Sequence, residues 1–166
     1  MMNNAETHAN IGLTQIAAGL LALATGIIHL YLFIVEGFLG SGSMVPIFQA
    51  LFVGNFLAYA ALSAALILPA APLAQSRSLV RVLLIAIAVA SIAAYINVGV
   101  FTALGNIAKA IEVLLIVTVA LDAATATTGE DLAGQFSGGG AGAAVQSVVG
   151  IAAGMAMFWF MISFLI

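Results

Sequence analysis

Residues Leu79–Val100 read LVRVLLIAIAVASIAAYINVGV, 22 positions at which Arg81 is the one charged side chain. A helix needs about 20 mostly apolar residues to cross a bilayer, and this stretch supplies them. Its apolar residues do not alternate with polar ones, as the lumen-facing and lipid-facing positions of a membrane barrel would. The segment therefore reads as a transmembrane helix, and the rest of the chain can be divided around it.

Upstream, a first span is expected from Ile11 to Ile34, with Thr14, Gln15, Thr25 and His29 as its polar interruptions. The Gly- and Ser-rich loop Glu36–Val45 (EGFLGSGSMV) follows. Pro46 then suits the first position of a second helix, where its missing N–H is harmless. That span runs to Leu68 and is closed by Pro69 and Pro72, before the polar stretch Gln75–Ser78. Downstream, Gly99, Gly105 and Asn106 suggest a tight turn into a fourth span, Ile107–Ala124. Thr125–Ala144 lacks an apolar period and carries SGGGAG, which reads as a flexible loop. A last span is expected over Val145–Ile166. The fold class is thus an all-α, polytopic transmembrane bundle of five spans. It comprises a four-helix bundle with a short N-terminal tail over residues 1–124, a Gly-rich loop over 125–144 and a C-terminal helix over 145–166. An odd number of spans places the termini on opposite sides.

Composition agrees. The 166 residues are 64% hydrophobic and 5% charged, with a mean hydropathy of +1.27. A soluble domain carries about 25% charged residues, so most of this surface must meet lipid or other apolar protein. Three basic residues against six acidic ones leave no electrostatic footprint for nucleic acid. The absence of cysteine removes iron–sulfur clusters, thiolate metal sites and covalent haem attachment. Met1–Asn10 has neither Lys nor Arg, so the first span reads as a retained anchor rather than a cleaved signal. Arg77 and Arg81 flank the second loop and Lys109 is the remaining cation, which by the positive-inside rule places the N-terminus in the cytoplasm.

The hairpin order brings particular polar residues to one membrane face. His29 lies late in the first span, with Glu36 one heptad on. Tyr95 and Asn97 end the third span, and Lys109 and Glu112 open the fourth. Asn55 is expected roughly 13 Å into the second span at 1.5 Å per residue. At the other face Arg81 is expected to pair with Asp122. Ionisable groups inside a bilayer turn toward the bundle interior, a cavity or a partner, which singles out His29 and the Lys109/Glu112 pair. Lys109 and Glu112, three residues apart, can also simply neutralise one another on one helix face.

His29 has two readings, a hydrogen-bonded structural histidine or a contact to a pigment or quinone. One imidazole can ligate a haem iron or the magnesium of a chlorophyll. The other histidine, His8, precedes the first span and falls toward the opposite face, so bis-histidine haem within the chain is not expected. No catalytic triad, phosphate-binding loop, HExxH or carboxylate metal cluster can be assembled. Gly150 and Gly154 form a GxxxG step, and Gly19 and Gly26 mark a small-residue face on the first span. Both permit close helix approach, either within the bundle or to another subunit.

Thr25–Leu30 (TGIIHL), the proline-closed second span, Arg77 and Arg81, and Ala108–Asp122 (AKAIEVLLIVTVALD) resemble a family of small uncharacterised four-helix membrane proteins of bacteria and archaea. The resemblance covers roughly residues 11–124 and implies a four-helix bundle in a prokaryotic cell (inner) membrane. It brings no assigned activity and no catalytic residues, and the fifth span departs from it. The leading expectation is a non-catalytic accessory subunit of a larger membrane complex, bordered by lipid and other transmembrane subunits; that the complex is an electron-transfer or photosynthetic one follows from how common such assemblies are, not from any residue. The alternatives are a pigment- or quinone-contacting protein using His29, or a small transporter using Lys109/Glu112.

Overall fold

The computed structural model describes residues 11–39, 44–70, 73, 76–126 and 139–165, which form helices and no strand. Helix α1 spans Leu13–Leu32 and continues as a π-helical turn over Phe33–Phe38; α2 spans Pro46–Ile67, α3 Arg77–Val98, α4 Ala103–Thr125 and α5 Gly140–Leu165. The all-helical bundle is as the sequence predicts. Four of these helices, α1, α2, α3 and α5, are long and apolar enough to cross a membrane, which is the make-up of an integral membrane protein. Helix α4, the carrier of Lys109, Glu112 and Asp122, is not among the four.

Several boundaries move, each for a local reason. Pro46 does open α2, directly after Val45. Helix α3 begins at Arg77, not Leu79, because Arg77 and Ser78 are buried and continue its inner face. It stops at Gly99, whose φ of 72° is left-handed and ends the helix without a Cβ penalty. Thr102 then caps α4: its hydroxyl accepts the Gly105 N–H at 3.0 Å. Gly105 and Asn106 consequently belong to the first turn of α4, which starts four residues before the expected Ile107. Helix α5 starts at Gly140, since Ala141, Ala143 and Ala144 are strong helix formers. Glu36 sits in the π-helical turn instead of a loop, with the Leu39 N–H bonded to the Ile34 carbonyl at 2.8 Å. The middle of the expected 125–144 loop, and His8, lie outside the described residues.

Helix α1 packs on α2 and α4, α3 packs on α5 and α4, and α2 and α5 make further contacts with α3 and α4 respectively. The core holds Ala18, Ala22, Tyr59, Leu66, Val80, Leu84, Ile85, Leu115 and Val119. Close approach is bought by small residues. A Cβ on Gly150 would lie 2.7 Å from Ile85 Cβ, and one on Gly154 2.5 Å from the Ala86 carbonyl oxygen. On α1, a Cβ on Gly19 would collide with Ile67 at 2.4 Å, and one on Gly26 would stand 3.1 Å from Tyr59 Cβ. Both small-residue faces are therefore occupied inside the bundle, α5 on α3 and α1 on α2. The outward surface is apolar, with Ile27, Leu57, Leu114, Leu121 and Trp159 among its exposed side chains.

Candidate functional site

Glu112 is fully buried, at 0% exposure, where four helices meet. An isolated carboxylate there would be prohibitively costly unless paired and hydrogen-bonded. Both conditions are met. Lys109, one helical turn back, donates to Oε2 at 2.8 Å. Oε1 accepts from the hydroxyls of Ser91 at 3.0 Å, Thr25 at 3.3 Å and Tyr59 at 3.3 Å. Lys109 Nζ also donates to Ser91 Oγ, closing a triangle of Lys109, Ser91 and Glu112. One carboxylate thus ties α1 (Thr25), α2 (Tyr59) and α3 (Ser91) to α4.

His29 completes this hub. Its Nδ1 lies 2.8 Å from the carbonyl of Thr25, a pure acceptor, so Nδ1 carries a hydrogen. Its Nε2 is turned into the hub, 3.4 Å from Ser91 Oγ and 3.7 Å from Glu112 Oε1. Phe52 and Tyr59 flank the ring at centroid distances of 5.7 and 6.0 Å. The residue is 3% exposed, and with the hydrogen on Nδ1 the Nε2 lone pair faces the hub.

Above the hub, toward the membrane face where α1 and α3 end and α2 and α4 begin, lies an open cavity of about 820 Å³. Its walls are mainly apolar. Lys109, Ser91 and His29 line its inner end, while Glu36, Asn55, Tyr95 and Asn97 line it elsewhere. Tyr95 is held by the α3–α4 turn: its hydroxyl donates to Asn106 Oδ1 at 2.9 Å and accepts the Thr102 N–H at 3.0 Å. Lys109 Nζ stands 5.6 Å from the Tyr95 ring centroid, a cation–π distance that helps fix the ammonium.

The structure therefore divides the polar residues expected at this face into two groups. His29, Lys109 and Glu112 converge in the hub, whereas Glu36, Asn55, Tyr95 and Asn97 belong to the cavity walls. Thr25, Tyr59 and Ser91 were not singled out from the sequence as site residues. The usable signal was spacing, since Thr25 and His29 are four residues apart on one helix face, and depth, since Ser91 is the lone hydroxyl midway through its span.

A second buried cluster lies about ten residues further along α4, roughly 15 Å away. Here Arg81 Nε donates to Asp122 Oδ2 at 2.9 Å, the pairing expected from sequence, and Thr14 donates to Oδ1 at 2.8 Å. Between the two clusters come Leu115 and Val119 of α4, packed on Leu84, Ala18, Ala22 and Leu66, all 0% exposed. The hub is thus separated from the second cluster by a mainly apolar layer, whose buried polar side chains, Ser63 and Gln15, are bonded to the Gly19 and Leu66 carbonyls. No group of three or more His, Cys, Asp or Glu side chains is placed to hold a metal among the described residues. Comparison with family models, curated proteins and solved structures finds no match to this chain.

Proposed function

We propose that this membrane protein binds a neutral, lipid-soluble molecule with a hydrogen-bond-accepting head, of the quinone type, in the cavity above the Lys109–Glu112 hub. The observation that carries the reading is the cavity itself. Its volume, about 820 Å³, falls in the range of small-molecule sites, and its mostly apolar lining with a few convergent polar groups is their usual make-up. Lys109 has three N–H donors. Ser91 and Glu112 take two, which leaves the third for a carbonyl oxygen entering from above. Glu112 balances the ammonium at 2.8 Å and Glu36 lines the cavity, so the electrostatics favour a neutral head over an anion. The apolar layer beneath the hub argues against a proton or ion relay through Lys109 and Glu112.

The test is equilibrium binding of a tail-free benzoquinone to the detergent-purified protein. Lys109→Met should weaken it by about 10- to 100-fold, the loss of a hydrogen bond from a charged donor. Ala94→Phe, which fills the cavity from α3, should abolish it. Equal affinity in wild type and both variants would reject the site.

A second reading, compatible with the first, is that the chain serves as an accessory subunit of a larger electron-transfer assembly in a prokaryotic membrane. It is favoured by the thin internal burial of α2 and α5, 17% of each span against 39% and 44% for α1 and α3. The mass of the native particle released by mild detergent tests it: a monomer or small homo-oligomer would exclude that role.

A further inference from the structure

The cavity is closed on one side by the first half of α2, through Phe48, Leu51 and Phe52, and on the other by the last turns of α5, through Phe158, Met161 and Ile162. These two walls do not form a packed helix pair: α2 is held by α1 and α3, and α5 by α3 and α4. They are also the two spans least buried within the bundle. Leu51 lies five residues inside the start of α2 and Met161 four residues before the end of α5, so both stand roughly 6–8 Å from the same membrane face. A lane between them from the hub to the lipid would be lined by the Phe, Met, Leu and Ile side chains that these two helices give to the cavity. Methionine and aromatic side chains suit such a lane, because they remain pliable around an irregular apolar chain.

We propose that the gap between α2 and α5 is a lateral portal through which a long-tailed ligand enters from the bilayer, and in which its tail then lies. The inference rests on the reading of the cavity as a ligand site and adds route and ligand class. A quinone-type head occupies only part of about 820 Å³, and the walls left for a tail are mainly apolar side chains of α2, α3 and α5. The occupant is an isoprenoid- or acyl-tailed lipid-soluble molecule, not a water-borne solute.

The chain has no native cysteine, which makes the portal directly testable. Leu51→Cys and Met161→Cys are introduced together and bridged with a bis-maleimide, with the same variant capped by N-ethylmaleimide as control. Two probes are used: a benzoquinone without a tail, added from water, and the same head on a long isoprenoid tail, presented in phosphatidylcholine vesicles. Bridging is expected to weaken binding of the tailed probe by about tenfold or more while the tail-free probe binds as in the capped control. Unchanged binding of both probes after bridging would overturn the portal. Loss of both would also overturn it, since the head site would then lie in the gap itself. Failure of the tail-free probe to bind the unbridged wild-type protein would instead defeat the cavity reading.

Discussion

Replacing Lys109 with Met keeps much of the side chain's bulk and removes the ammonium that faces Glu112 at 2.8 Å. At that separation the Coulomb attraction is about 6 kcal/mol for an effective dielectric of about 20. Less than this reaches net stability, because both groups surrendered hydration when the bundle formed. Stripping one partner from a buried pair typically costs about 3–5 kcal/mol. Glu112 is 0% exposed and cannot turn to water, but Ser91, Thr25 and Tyr59 still donate to Oε1. The expected loss is therefore at the lower end, about 3 kcal/mol. Glu112→Gln should cost about 1–3 kcal/mol, since an amide oxygen still accepts from the hydroxyls while its NH2 opposes Lys109. The double variant removes both charges and should return to within about 1–2 kcal/mol of wild type. Unfolding in mixed micelles at rising SDS fraction, followed by helical circular dichroism, reads all four proteins. Losses that simply add would show the two groups to be energetically independent, contrary to a buried ion pair.

Other consequences are equally direct. Gly154→Val places a Cβ 2.5 Å from the Ala86 carbonyl oxygen and should cost about 1–3 kcal/mol by overpacking α5 against α3. Gly54→Ala, with nothing within 4 Å, should stabilise α2 by up to about 1 kcal/mol in the same assay. Arg81→Met strands the Asp122 carboxylate beneath the apolar layer and should cost about 3 kcal/mol while leaving quinone affinity unchanged; altered affinity would contradict the separation of the clusters. Thr102→Ala removes the α4 cap, at a cost of about 1 kcal/mol, and should speed hydrogen exchange of the Gly105 amide.

The helices were legible because crossing a bilayer demands long apolar runs, and a pattern of that length survives errors at its ends. The ends were less legible where side chains decide them. Thr102 looks like loop until its hydroxyl is seen capping α4, and Arg77 looks like a polar flank until it is found buried. Within the site, Lys109 and Glu112 could be paired from local spacing, and Arg81 and Asp122 from hairpin order. The contributions of Ser91 and Tyr59 depend on helix rotation, which an all-round apolar span does not encode in any periodic pattern. For the same reason Gly19, Gly26, Gly150 and Gly154 signalled close approach without naming the partner, which proves to be inside the bundle.

The occupant proposed for the cavity above Lys109 is a lipid-soluble molecule. The most direct measurement is native mass spectrometry of the particle released from membranes by mild detergent, with fragmentation of any retained small molecule. A neutral, tailed molecule of the quinone class, bound at one per chain in wild type and missing from Ala94→Phe, is the predicted result. A wild-type protein that carries no such molecule, or an Ala94→Phe variant that retains it undiminished, would contradict the account.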